Sequence, residues 1–325
     1  PASVQLGPRD RARRGRVPRS NSTSTNCAAD PRPDPGSTGT MTLTMAITAS
    51  MVRDLREKTG AAMMDCKKAL EAAAGDMEAA IDHLRKSGLK TAAKKADRSM
   101  GEGRVYAASS EDQRSGAMIA VTCETDFVAR TEDFEQMLKD LSAHVLEHQP
   151  ADVAALLAQP WKGTSETVED ALKATIGKLG ENISIGDVVV FTNPGGYVSS
   201  YVHHDNKQGA LVSVTTKADA AKAADALRDL SMHVVVFQPP HLQRGDVDAG
   251  TIEREKAIYR EEVSGKPEEI QDKIIGGKLE KFYGTVTLRE QPWIKDDKRS
   301  VEKAMVADLG DGTVVEAFRR FKIGG

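Results

Sequence analysis

Val121-Thr122-Cys123-Glu124-Thr125-Asp126-Phe127-Val128-Ala129-Arg130 is the stretch from which the architecture can be read. The apolar run leading into it, Gly116-Ala117-Met118-Ile119-Ala120-Val121-Thr122-Cys123, returns 93 positions later as Gly209-Ala210-Leu211-Val212-Ser213-Val214-Thr215-Thr216. The helical run from Gln136 to Val145, ending Leu141-Ser142-Ala143-His144-Val145, returns only 89 positions later as Asp225 to Val234, ending Leu230-Ser231-Met232-His233-Val234. One unit is therefore present twice, and its first copy carries four more residues between strand and helix. Thr125-Asp126-Phe127-Val128 lies in that longer connection. Whatever the fold requires should be common to both copies, so an aromatic ring beside an acid in one copy alone points to a binding role.

Around this stretch each copy reads β-β-α. Residues 104–110 and 117–123 form a hairpin followed by a helix over 132–148; residues 197–204, 210–216 and 218–233 repeat the order. Helices then interrupt each copy before a closing strand. In the first they occupy 151–180, with the strand at 185–191. In the second they occupy 248–263 and 267–282 about Ser264-Gly265-Lys266, with a closing strand at 285–288 and a final one at 314–323. Pro267 suits a first helical position. Ile270, Ile274, Ile275, Leu279 and Phe282 make an apolar stripe that a lone helical hairpin cannot bury, which implies a partner or a second copy of the chain.

Ahead of the repeats the pattern is helical. Thr48 or Ser50 can cap a helix through Lys58 that stops at Gly60, and a second runs over 62–73 to Gly75. Asp76 caps a third, with Met77, Ala80, Ile81 and Leu84 at helical spacing, ending at Ser87-Gly88. Residues 90–104 read as a basic, solvated connector. The fold class is thus α+β: a front three-helix module, two related β-β-α units with small antiparallel sheets, and a helical arm. The divisions fall at 1–44, 45–98, 99–194, 195–238 with 288–325, and 239–287.

Aromatic residues make up only 4% of the 325-residue chain against 39% apolar, a balance that favours helices over an aromatic-rich sandwich. The net charge of −3 gives no global attraction to nucleic acid or an anionic membrane, and no apolar run reaches the roughly 20 residues of a membrane span. Residues 1–44 stand apart with seven Arg and three Asp. They are expected to be disordered: a transit peptide, or a non-native or upstream-encoded leader with the natural start near Met41 or Met45. Cys27, Cys66 and Cys123 are too dispersed for a zinc site or a disulfide framework.

Few residues offer chemistry. His203-His204-Asp205 suggests a metal or acid–base site, but neighbouring strand side chains point to opposite faces, which favours a surface or hydrogen-bonded role. His144 and His233 hold equivalent places and so read as packing residues. Cys66, flanked by Lys67 and Lys68 but by no His, reads as structural. Of Met63 and Met64, about 100° apart on a helix, one is expected to face the bundle and the other outward. No phosphate-cradling loop or nucleophile elbow is present, so neither an enzyme activity nor a cofactor is expected.

Val52-Arg53-Asp54-Leu55-Arg56-Glu57-Lys58-Thr59-Gly60-Ala61-Ala62-Met63-Met64-Asp65-Cys66-Lys67-Lys68-Ala69-Leu70 resembles the first signature of bacterial elongation factor Ts, and Cys123-Glu124-Thr125-Asp126-Phe127-Val128 resembles the second. Gly180-Glu181-Asn182-Ile183, Ser264-Gly265-Lys266-Pro267 and Gln291-Pro292-Trp293-Ile294 follow in the family's order, so the resemblance spans 45–325. It implies a cytoplasmic guanine-nucleotide exchange factor for elongation factor Tu, with a ubiquitin-associated-like N-terminal module and a dimerising arm. It also implies that Arg56, Met63 and Met64 touch the partner's nucleotide-binding domain, that Asp126 and Phe127, within Thr125 to Val128, wedge beside its magnesium and phosphate site, and that His203 makes a further contact. The chain ends at Lys322-Ile323-Gly324-Gly325 without the C-terminal helix some members add. A scaffold that binds the same GTPase without accelerating release is the alternative, and a His203- or His204-dependent metallohydrolase a third reading.

Overall fold

The computed structural model describes residues 46–324, and what the sequence suggests for residues 1–44, Cys27, Met41 and Met45 lies outside them. Thr48 caps α1 (Ala49–Thr59), accepting from the Met51 amide, and Gly60 ends it in the left-handed region at φ 65°. The α2 helix (Met63–Ala72) follows, and α3 (Met77–Lys95) starts at the Asp76 cap. Val52, Leu55, Cys66, Ala69, Leu70 and Ala80 close this module's core. The third helix does not stop at Ser87-Gly88. It runs through Gly88 to Lys95 and takes up the first part of the expected connector, because Gly88 is a contact rather than a terminator. A Cβ at Gly177, on a helix described below, would stand 2.9 Å from the Gly88 Cα. Replacing Gly177 with leucine should pry the two helices apart at a cost of about 1–3 kcal/mol, outweighing the gain in helix propensity. Urea denaturation tests this, and an unchanged midpoint would contradict the close packing.

The first repeat comprises β1 (Glu102–Ser109), β2 (Ser115–Cys123), α4 (Asp126–Ala129), α5 (Glu132–His148), α6 (Val153–Ala158), α7 (Val168–Leu179) and β3 (Ile183–Thr192). The second comprises β4 (Gly196–Val202), β5 (Gln208–Thr215), α8 (Ala220–Phe237), α9 (Ala249–Val263), α10 (Glu268–Val286), the short hairpin β6 (Pro292–Trp293) and β7 (Asp296–Ser300), α11 (Val301–Leu309) and β8 (Val314–Lys322). Each repeat forms an antiparallel three-stranded sheet, β1-β2-β3 and β4-β5-β8. Their α5 and α8 faces build separate cores, while Val105, Met118, Ala120, Val198, Leu211 and Phe321 join one sheet to the other.

The duplication reaches the backbone. Register shifts occur between Ala120 and Val121 in one sheet and between Ser213 and Val214 in the other, at equivalent positions. Gly103 and Gly196 are also equivalent: a Cβ would sit 2.2 Å from the Val121 carbonyl oxygen in the first case and 1.9 Å from that of Val214 in the second. Only glycine lets the strands approach this closely. Behind each sheet a buried histidine is held by a glutamine, His144 Nε2 to Gln159 Oε1 and His233 Nε2 to Gln291 Oε1, both at 3.0 Å. Trp161 and Trp293 lie against these imidazoles with centroids 5.4 Å away. Gln159-Pro160-Trp161 and Gln291-Pro292-Trp293 are therefore a further part of the repeat, and the packing role read for the histidines is the one they have.

One expectation for the second repeat is corrected. Residues 285–288 do not form a strand: Thr285 and Val286 end α10, and Thr287, its backbone already extended, closes the last turn with its hydroxyl donating to the Tyr283 carbonyl at 2.8 Å. The closing strand is β8 alone. The α10 stripe is only partly covered by α9, since Ile275 is buried while Ile270 remains 48% exposed.

Candidate functional site

The extra residues of the first repeat form one helical turn rather than an open loop. The Thr125 side chain caps α4 by accepting from the Val128 amide at 3.3 Å, and the Arg130 amide closes the turn on the Phe127 carbonyl. Val128 and Ala129 face the core. That orientation sends Phe127 outward, and 78% of it is exposed. Asp126 lies beside it, paired with Arg130 at 3.1 Å on the surface. A hydrophobic ring this exposed adds nothing to its own core, whereas it has much area to lose against another molecule.

The turn is braced from below by two reciprocal carboxylates. Glu181 Oε1 accepts from the Thr125 hydroxyl at 2.6 Å and Oε2 from the Thr125 amide at 3.0 Å. Glu124 Oε1 accepts from the Asn182 amide at 2.7 Å, and that bond, with Arg98 nearby, holds the Glu124 carboxyl below its usual range. The Asn182 side chain donates to the carbonyls of Ala96 and Arg98 at the end of α3. Under the corner, the Cys123 thiol donates to the Thr125 carbonyl at 3.1 Å. Burial, reinforced by the Glu181 charge, pushes its pKa up to about 11, so it is an inert packing thiol.

His203 and His204 are not in a strand, contrary to the sequence-based placement. They occupy the β4–β5 turn with ring centroids 4.2 Å apart, and His203 Nδ1 lies 3.2 Å from the Tyr201 hydroxyl. The opposite-faces argument therefore does not apply to them. Even so, no group of three His, Cys, Asp or Glu among the described residues is placed to hold a metal ion. This turn adjoins the first repeat: the Val105 amide donates to the Asn206 carbonyl at 2.7 Å, and Lys207 pairs with Glu102 at 2.7 Å. The Lys207 ammonium is favoured above its usual pKa by Glu102, then by Asp126 and Asp205. Lys207, four residues after His203, thus lies within reach of the Asp126 charge.

Met63 and Met64 are 52% and 62% exposed, so neither faces the bundle. They begin α2, ahead of the turn where Cys66, Ala69 and Leu70 engage the core. Arg56 is likewise exposed. Lys178 ties this corner to the core: it lies against Gly60, and its Nζ reaches Asp133 Oδ1, at the start of α5, at 2.6 Å. Sequence reasoning missed Glu124, Glu181 and Asn182 as chemical groups. The available signal was an acid directly after a helix-ending glycine, Gly180 at φ 77°.

The family model described as Elongation factor TS matches residues 124–325. The elongation factor Ts of Trichlorobacter lovleyi is 43% identical over 290 residues, covering 86% of this chain and 93% of that protein. That of Aquifex aeolicus is 39% identical over 289 residues, 86% and 99% of the two chains, and that of Clostridium perfringens 38% over 283 residues, 86% and 93%. An α+β framework presenting a bare aromatic ring, with relatives of this kind, defines a factor of translation elongation. The chain belongs to the elongation factor Ts family.

Proposed function

We propose that this chain binds elongation factor Tu and accelerates its release of GDP, with residues 125–128 entering beside the partner's magnesium and phosphate site. The observation that carries this reading is Phe127, 78% exposed on a capped turn that only one repeat possesses. The ring gains by entering an apolar recess, and Asp126 brings a negative charge toward phosphate. Magnesium neutralises bound diphosphate, so displacing it weakens nucleotide binding. Exchange follows by linkage: factor and nucleotide weaken each other equally, and incoming GTP expels the factor. No bond is made or broken, so no catalytic residue is required.

In this reading the module over 45–98 applies Arg56, Met63 and Met64 to the partner's nucleotide-binding domain, His203 makes a second contact from the unit over 195–238 and 288–325, and the unit over 99–194 carries the wedge. The arm over 239–287 offers Ile258 and Ile270, both about half exposed, to a second copy. The setting is the cytoplasm; no helix among the described residues is long and apolar enough to cross a membrane. The test is release of a fluorescent GDP from elongation factor Tu. Acceleration well above the spontaneous rate is expected, whereas stable binding at an unchanged release rate would select a scaffold instead.

A further inference from the structure

We propose that Glu181 is the positioning residue of the exposed turn, fixing Phe127 through the Thr125 hydroxyl; this deepens the exchange reading and rests on it. A carboxylate only accepts, so the Thr125 hydroxyl, 2.6 Å from Glu181 Oε1, must spend its single proton there. Its lone pairs are then left for the Val128 amide, the bond that caps α4. The second carboxylate oxygen takes the Thr125 amide at 3.0 Å, so both ends of the threonine are gripped by one planar group.

Such a grip matters because α4 has only four residues. A single helical turn fixes several dihedrals for one hydrogen bond and does not persist unaided. Nor does Phe127 anchor itself, being 78% exposed. Its place is inherited from the backbone, and the backbone from Thr125. The brace also reaches the helical module: Glu181 precedes Asn182, whose amide goes to Glu124 and whose side chain holds the carbonyls of Ala96 and Arg98. Lys95 Nζ donates to the carbonyl of Gly180, the residue before Glu181. One short loop after α7 thus sets the turn and the end of α3 together, relating the Phe127 surface to the module that bears Met63 and Met64.

The test uses Glu181→Gln and Thr125→Val, with Thr125→Ser as the conservative control, in the full chain. Two readouts are independent. Without any partner, amide hydrogen exchange at Val128 should accelerate in Glu181→Gln and Thr125→Val but not in Thr125→Ser. With elongation factor Tu, Glu181→Gln should lower the saturating GDP-release rate roughly tenfold, as for a lost charge-assisted hydrogen bond, and should add nothing once Phe127 is already alanine. A structural role alone would shift the thermal midpoint while leaving that rate and its coupling to Phe127 unmoved. The proposal is overturned by unchanged Val128 protection, by a wild-type rate in Glu181→Gln, or by equal losses in both backgrounds. A wild-type rate in Phe127→Ala would instead bring down the exchange reading itself, whatever the Val128 amide shows.

Discussion

Phe127→Ala is expected to slow factor-stimulated GDP release by roughly 30- to 150-fold, the equivalent of about 2–3 kcal/mol for truncating an aromatic anchor at an interface. The same change should leave the factor's own unfolding midpoint almost untouched, since a side chain 78% exposed contributes little to its own core. That combination separates a wedge from a core residue. A Phe packed within its own molecule, such as the fully buried Phe134, would lose 3–5 kcal/mol of stability on truncation. Asp126→Asn should have a smaller effect. The Asp126–Arg130 pair is exposed and worth no more than about 1 kcal/mol to the fold, and the charge acts only if it nears phosphate in the complex. Stopped-flow release at several factor concentrations distinguishes the two outcomes. Wild-type stimulation by the alanine variant would sink the wedge, and a lowered midpoint would show that the ring serves the fold instead.

Period and repetition made much of this legible before any coordinates. The two offsets located both sheets, the equivalence of His144 with His233, and the asymmetric turn, because strands and buried helices impose patterns that survive duplication. What stayed hidden has physical causes. Gly88 reads as a helix end when considered locally; only the approach of Gly177 from a helix about 90 residues further on turns it into a contact. Residues 285–288 are rich in β-branched side chains, yet Thr285 and Val286 stay in α10, and the Thr287 hydroxyl bonds back to a carbonyl of its last turn. The brace beneath Phe127 was invisible for a different reason. Glu124 and Glu181 are ordinary surface-type residues in sequence, and their role arises from a corner and a loop 56 positions apart folding against each other. Phe127 itself was legible because it stands in a connection that only the first repeat lengthens, a break in the pattern that neither carboxylate makes.

The buried histidines give the second large effect. Gln291 fixes the state of His233: its Nε2 donates to the Thr285 carbonyl at 2.8 Å, which turns its Oε1 toward His233 Nε2. The imidazole must therefore carry its proton on Nε2, and its buried Nδ1 has no partner. Adding a second proton would bury both a charge and an unpaired N–H between Phe237 and Trp293. Burial accordingly holds the His233 pKa below the ordinary histidine value, with the Gln291 bond opposing weakly, and His144 is lowered for the same first reason. A lowered folded pKa means that the unfolded chain binds the proton first. Stability is therefore full above about pH 6.5 and falls as pH drops below it, by up to about 1.4 kcal/mol per pH unit per site until the folded pKa is reached. His233→Ala should cost about 3 kcal/mol or more at pH 7.5, through the cavity and the stranded Gln291 carbonyl. At pH 5.5 the cost should be smaller, because the wild type has by then lost part of its advantage and the variant has no imidazole to protonate. Urea unfolding of both proteins at the two pH values measures the gap; parallel losses on acidification would show that the proton is taken up elsewhere.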